Sequence, residues 1–314
     1  MKKYGFGVDI GGTTCKIGLF DTAGILLDKW EIPTNTANNG ASILDDIAKA
    51  VFDKMKKENI SKDDVQGIGL GVPGPITTEG VVKKCANLGW GVFNVQEEME
   101  KKTGLTVRVG NDANVASLGE MWQGGGKGFK NVVMVTLGTG VGAGVIIDGK
   151  MISGTNGAGG EVGHMQVNPA ETLVCGCGKK GCLEQYASAT GVVRLTTRAM
   201  ETAKRESALN ALNEITCKDV FDAAKDGDAF AAEIVEEFGK ILGSALAKVA
   251  CVVDPEVFVI GGGVSKAGQI VLDVVQKNFV KEAFHACEGT KFALASLGND
   301  AGMYGCVQLI IDAA

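Results

Sequence analysis

The chain has 314 residues, 45% of them hydrophobic, and a net charge of −6, with no basic run and no interleaved aromatic and basic stripe. That apolar content excludes a disordered chain, the acidic balance leaves no electrostatic footprint for nucleic acid, and the length suits two medium domains. The N-terminal MKKYGFGVDIGG lacks a signal peptide's apolar core, and the most apolar tract, 241–264, is interrupted by Lys248, Asp254, Pro255 and Glu256. A cytoplasmic protein with neither a nucleic-acid nor a membrane partner is expected.

Apolar runs and their breakers set out an alternation of strands and helices. Strands are predicted at YGFGVDI (4–10), CKIGLFD (15–21) and around ILLDKWEI (25–32), then a helix over 41–58 and a buried strand, VQGIGLGV, at 65–72. A helix over 93–104 and a short strand at 106–110 follow. Asn111 and Asp112 then open a helical stretch that the glycine-rich QGGGKG (123–128) breaks. Toward the C-terminus the pattern predicts a buried helix over 236–253, a core strand at 255–263, an amphipathic helix over 268–284 and a last helix, AGMYGCVQLIIDAA, at 301–314. This alternation places the chain in the α/β class.

One internal repeat stands out. GGTTCKIGLFD (11–21) lies over GTGVGAGVIID (138–148), each a Gly/Thr turn, an apolar strand and an Asp. Two copies of one hairpin, each heading its own α/β segment, suggest a duplicated pair of domains facing one another across a cleft.

The 46 glycines fall in clusters, most of them where a strand is predicted to end. DIGGTT (9–14) and LGTGVG (137–142) read either as tight hairpin turns or as phosphate cradles, because glycine lets backbone N–H groups approach an anion while threonine adds a donor. Neither loop has the Gly-Lys-Ser/Thr ending of a P-loop or a GxGxxG that opens a helix. Asp9 reads as a turn former or as a carboxylate for a hydrated Mg²⁺, and Asp112 as a helix N-cap or as a general base. Glu161 and Glu184, which flank the cysteine cluster, read as solvated surface or as groups for a ligand's hydroxyls.

Three of the nine cysteines fall between Cys175 and Cys182. The odd count and the expected reducing compartment argue against disulfides. With His164, one of two histidines, Cys175, Cys177 and Cys182 offer the four ligands of a closed tetrahedral zinc site. The spacing H-x10-C-x-C-x4-C is not the double CxxC of zinc ribbons, so unmetallated thiols stay open beside the metal. Cys15, Cys85, Cys217, Cys251, Cys287 and Cys306 read as core thiols.

Taken together, DIGGTT, TLGTGVGAG, GNDANVASLGE, GAGGEVGHM and CGCGKKGCLEQYAS, in this order, resemble the ROK (repressor, open reading frame, kinase) sugar kinases of the actin/hexokinase-like superfamily. The resemblance runs from Asp9 to beyond Gly263, and CANLGWG (85–91) is similar to the sugar-side loop of the family's bacterial glucokinases. It implies two RNase H-like α/β domains with mixed sheets around an interdomain cleft, one of residues 1–115 plus 299–314 and a larger one of 116–298 carrying the zinc site. It implies ATP-dependent transfer to the 6-hydroxyl of glucose, with Asp112 as base. By the same resemblance Gly74, Asn87, Asn111, Glu161, His164 and Glu184 face the sugar, and zinc is structural, held by His164, Cys175, Cys177 and Cys182. The nucleotide and its Mg²⁺ would meet Asp9, Gly11, Gly12, Thr13, Thr14, Gly138, Thr139 and Gly140, with Gly261, Gly262 and Gly263 under the adenosine. Thr14 stands where the family often has lysine, which puts that nucleotide contact in question. A homo-oligomer, a dimer or tetramer, is implied as well. Another hexose or N-acetylhexosamine kinase is the alternative; a sugar-sensing regulator would carry a DNA-binding domain ahead of Asp9, where only eight residues stand.

Overall fold

The computed structural model describes residues 2–202 and 205–312. Two five-stranded mixed sheets organise it. The first holds β1 (Tyr4–Ile10), β2 (Thr14–Asp21), β3 (Leu26–Pro33), β4 (Val65–Val72) and β5 (Val107–Asn111) in the order β3-β2-β1-β4-β5. The second holds β6 (Val132–Leu137), β7 (Val141–Ile147), β8 (Lys150–Met151), β9 (Val257–Gly261) and β10 (Lys291–Leu294) in the order β8-β7-β6-β9-β10. Each sheet begins with an antiparallel meander of three strands and continues with two parallel strands beside the first. The repeat seen in the sequence is therefore a repeat of topology: β1 corresponds to β6, and the two Gly/Thr loops occupy the same hairpin in their own sheets.

Each parallel strand is reached through helices, as such connections require. In the first lobe these are α1 (Ile43–Lys57) and α2 (Val95–Thr103), and α1 buries Ile47 and Val51 with Phe6, Val8 and Ile10 of β1. Helix α3 (Asp112–Gln123) leads into the second lobe, where α4 (Ala189–Thr202), α5 (Cys217–Lys225), α6 (Ala229–Val253) and α7 (Gln269–Glu282) gather. Alternation along β6 and β9 divides the second sheet's faces. Val133, Val135, Phe258 and Ile260 join Phe238, Leu242 and Leu246 of α6, while Val132, Met134, Val257 and Val259 pack with Leu118 of α3.

The last helix, α8 (Ala301–Asp312), returns to the first lobe and lies on the glycine face of its sheet; Ala313 and Ala314, which the sequence reading included in it, lie outside the described residues. This corrects the placing of the glycines at strand ends. Gly7 and Gly69 stand within β1 and β4, and a Cβ at Gly69 would lie 1.8 Å from the Cys306 carbonyl oxygen, so only glycine admits the helix at that depth. Helices α8 and α3 cross as closely, because a Cβ at Gly305 would lie 1.6 Å from the Val115 carbonyl oxygen. Replacing Gly305 with Ala forces the two helices apart in a close-packed core, and a loss of about 3 kcal/mol is expected in a denaturant melt.

Candidate active site

Asn111 ends β5 and Asp112 begins α3. The Asn111 side chain accepts the Asn114 N–H at 3.1 Å, so Asn111 is the N-cap. The reading of Asp112 as the cap does not hold: its carboxylate accepts the N–H of the adjacent Ala113, at 2.8 Å, while Asn111 caps the helix. The Asn111 amide also donates to the Gly74 carbonyl at 3.1 Å. Gly74 has a φ of 122°, which glycine adopts without strain. The first-lobe loop after β4 is thus tied to the start of α3.

Asp9 faces the same region from β1. Its carboxylate lies against Gly302 at the start of α8, where a Cβ would come 2.7 Å from Oδ2. Burial, and then the negative charge of Asp112, raise its pKa to about 6, against a smaller opposing effect from Lys16. Asp112 is also raised, mainly by burial, with the Ala113 N–H opposing. Two part-buried carboxylates, one of which feels the charge of the other, are arranged for a cation or a proton to join them.

After β1 the chain turns through Gly11, Gly12 and Thr13 into Thr14. The Gly11 N–H is bound to the Thr14 carbonyl at 2.9 Å, and Gly11's own carbonyl accepts the Thr34 hydroxyl at 2.7 Å. The second turn, Gly138–Gly140, closes with the Gly138 N–H on the Gly140 carbonyl at 3.0 Å and rests on the start of α4 through Ala189 N–H and the Thr190 hydroxyl. Gly12 and Gly138 have open space where a Cβ would point. Gly262, at φ 83°, passes under the end of β6, where a Cβ would meet Leu137 backbone at 2.6 Å. Gly261 and Gly263 flank it at the end of β9, so this turn and the Gly138 loop lie side by side.

Beside them a cavity of about 390 Å³ opens between α5 and the 263–267 turn, lined by Cys217, Phe221, Gly263, Val264 and Ala267 among others. Its apolar lining suits a flat ring. Sequence reasoning missed α4 and α5 altogether, and with them Thr216, Cys217 and Phe221 as site residues. The Thr216–Asp219 capping box was the signal that would have found α5.

The third element is the cysteine loop. The ligand atoms of His164, Cys175, Cys177 and Cys182 all lie within 4.8 Å of one another. Cys177 Sγ and Cys182 Sγ are 3.6 Å apart, and Cys175 Sγ and His164 Nδ1 are 3.8 Å apart. A tetrahedron with metal–sulfur bonds of about 2.3 Å has edges of about 3.8 Å, so this donor set and spacing fit zinc with every position filled by protein. Tight glycine turns produce the convergence: Gly178 and Gly181 have positive φ, and a Cβ at Gly181 would strike the Asn168 carbonyl oxygen at 1.8 Å.

His164 turns its two nitrogens to different partners. Nδ1 is on the cysteine side, 3.7 Å from a Glu184 oxygen, while Nε2 lies 3.9 Å from a Glu161 oxygen. Glu184 also approaches the second Gly/Thr turn, where a Cβ at Gly140 would be 2.8 Å from its Oε2. The loop carrying Glu161 reaches the first lobe, with Gly157 beside Pro75 and Ile76, next to Gly74. Glu161, His164 and Glu184 therefore stand together, and Gly74, Asn111 and Asp112 stand together on the opposite lobe. Asn87 is exposed in the turn before Trp90, and no contact ties it to either group. Of the six cysteines taken as core thiols, Cys251 is exposed, and Cys217 is only partly buried, packed at the edge of the second lobe's core where it lines the cavity.

The family model described as the ROK family matches residues 5–313. A glucokinase of Halalkalibacterium halodurans is 46% identical over 305 residues, covering 95% of this chain and 92% of that protein. An N-acetylgalactosamine kinase of Shewanella sp. is 32% identical, covering 97% and 96%. Among solved structures, a ROK family glucokinase from Streptomyces griseus in complex with glucose and AMPPNP is 34% identical, covers 98% of each chain and superposes with a TM-score of 0.72.

Proposed function

The chain belongs to the ROK family, and from that premise we propose that it is a glucokinase transferring the γ-phosphoryl group of ATP to the 6-hydroxyl of glucose. The observation that carries the reading is Asp112, a carboxylate released from capping duty by Asn111 and held at the cleft with a raised affinity for a proton. It accepts the proton of the attacking hydroxyl, a contribution of roughly 10²- to 10⁴-fold in typical cases. Glu161, His164 and Glu184 from one lobe and Asn111 and Gly74 from the other hold the remaining hydroxyls, with Asn87 joining from its exposed turn. Carboxylates, an amide and an imidazole suit a ring of groups that both donate and accept.

The turns at Gly11–Thr14 and Gly138–Gly140 cradle the phosphates, Gly261–Gly263 run beneath the nucleotide, and the Phe221 cavity takes the base. Asp9 holds the hydrated Mg²⁺ that accompanies ATP, which neutralises charge at the phosphates. Zinc, when bound by His164, Cys175, Cys177 and Cys182, fixes the histidine's direction; the chain then presents Nε2 to a sugar hydroxyl with its tautomer set. The S. griseus glucokinase, crystallised with glucose and AMPPNP, supports both substrate classes.

We place the division between lobes at 1–115 with 299–314 against 116–298, consistent with the two sheets. No helix among the described residues is long and apolar enough to cross a membrane, and the cytoplasmic setting is proposed from the sequence. A dimer or tetramer is expected from the family resemblance.

Assaying ADP release over glucose, mannose and the N-acetylhexosamines tests the proposal. Fastest turnover with glucose is expected. The Shewanella relative favours N-acetylgalactosamine as the second reading, and preference for an N-acetylhexosamine would replace the substrate while keeping the mechanism.

The Asp9 carboxyl gives a pH signature. Its pKa is raised from 3.8 to about 6, so the native state holds that proton more tightly than the unfolded chain. Stability from this group is present at low pH and is lost as pH rises from about 4 to about 6. Removing the charge with Asp9→Asn should therefore stabilise the protein above pH 6, by on the order of 2 kcal/mol, while giving no gain below pH 4. Turnover of the unsubstituted enzyme at limiting Mg·ATP should rise toward a plateau above pH 6, and the Asn variant should lack that rise. Melting curves and rates at pH 4, 6 and 8 check both.

A further inference from the structure

The GNDANVASLGE segment ends in a residue that the mechanism does not use. Glu120 lies about two turns from Asp112 along α3 and is completely buried. Its carboxylate accepts three backbone N–H groups: Gly125 and Ser296 on Oε2, at 2.9 and 3.0 Å, and Leu297 on Oε1, at 2.8 Å. A buried carboxylate satisfied wholly by backbone is a fixed joint, because each N–H would otherwise be left unpaired.

The three donors come from two separate stretches of chain. Gly125 follows α3 where the polypeptide enters the second sheet, and Ser296 and Leu297 follow β10 where it leaves that sheet for α8. Among the described residues these are the two places where the chain passes between the two sheets. Just beyond them the chain is anchored on the first-lobe side, since Lys16 donates to the Asn299 carbonyl at 3.3 Å and Lys29 pairs with Asp300 at 2.6 Å. On the second-lobe side Gly125 lies against Leu294 backbone, where a Cβ would be 2.2 Å from the carbonyl oxygen.

We propose that Glu120 is a positioning residue, a pin through both interlobe crossings that fixes the angle at which α3 presents Asp112 to the second lobe. Domain closure is carried by a few residues at element ends, and here the turns 124–126 and 295–297 are those ends. With the carboxylate in place they move as one joint. Without it each crossing bends separately, and Asp112 loses its alignment with the phosphates while the groups that hold sugar and nucleotide keep their places within their own lobes.

The proposal rests on the kinase reading for its activity readout but not for its structural one. Glu120→Gln keeps the shape and turns one acceptor into a donor facing a donor; Glu120→Asp keeps the charge on a shorter stem and serves if the Gln variant does not fold. Hydrogen exchange followed by mass spectrometry should show at least tenfold faster exchange confined to peptides spanning 124–128 and 294–300. Turnover at saturating glucose and ATP should fall at least tenfold, with each KM within about threefold of the unsubstituted enzyme, and Asp112→Asn should leave exchange at the crossings unchanged. Unchanged kcat, or exchange that quickens throughout the fold with kcat and KM worsening together, would overturn the pin. The exchange arm needs no substrate, so an unsubstituted enzyme inert toward every hexose would sink the kinase reading and leave the pin to be decided by exchange alone.

Discussion

Asp112→Asn should lower the rate of glucose phosphorylation by two to four orders of magnitude while leaving glucose affinity within a few-fold. The Asn side chain keeps the size and the contact with the Ala113 N–H, but it cannot take a proton from the attacking hydroxyl. Phosphoryl transfer depends mostly on alignment and charge neutralisation, so a residual rate above background should survive through the two Gly/Thr turns. Because burial already disfavours the Asp112 charge, the variant should melt no lower than the unsubstituted enzyme. A stopped-time assay beside equilibrium glucose binding separates the two effects. A variant that loses binding in proportion to rate would make Asp112 a binding residue alone.

The second large effect concerns the cysteine loop. Cys175→Ser or Cys182→Ser should take bound zinc from about one per chain to none, as measured by elemental analysis, and lower turnover more than tenfold. Both thiols are buried, and the loop's other ties, among them the Cys175 N–H on Lys179, the bridge between Gln166 and Cys182 and the Gln185 side chain on the Cys182 N–H and the Leu173 carbonyl, hold its backbone but not the direction of the His164 ring. Without the metal His164 loses the partner on its Nδ1 side, and Nε2 is no longer aimed toward Glu161 and the sugar. The rise in glucose KM should exceed the fall in kcat, because the histidine binds and does not exchange protons in the reaction. Full activity in a zinc-free variant would show that the four groups are packing thiols and a surface histidine.

Much of this architecture was legible from residue order because it is local. The strands at 4–10 and 65–72 coincide with their predicted limits, since short runs of apolar residues and glycines, stopped by Gly11 and by Pro73, leave little freedom. The Gly/Thr repeat anticipated two sheets of one topology, because a hairpin is fixed by its own turn and flanking strands. What remained hidden depends on partners distant in sequence. Gly7 and Gly69 have no local reason to be glycine; they are set by a helix more than two hundred residues later. The choice of Asn111 over Asp112 as cap turns on the geometry of one helix start, which composition does not resolve. Helices α4 and α5 are the exception: both are amphipathic, and their spacing was there to be read. The apolar cavity beside Phe221 exists only where α5 meets the turn after β9, and the three donors of Glu120 come together only when both crossings are built.

The most direct test of the central claim is phosphorus NMR of a reaction containing the protein, glucose, ATP and Mg²⁺, with Asp112→Asn run beside it. Equal amounts of ADP and of a phosphate ester on the 6-hydroxyl of glucose, with neither forming at a comparable rate in the variant, are the expected result. Release of inorganic phosphate without a sugar ester, or an ester that forms as fast without the Asp112 carboxylate, would contradict the account.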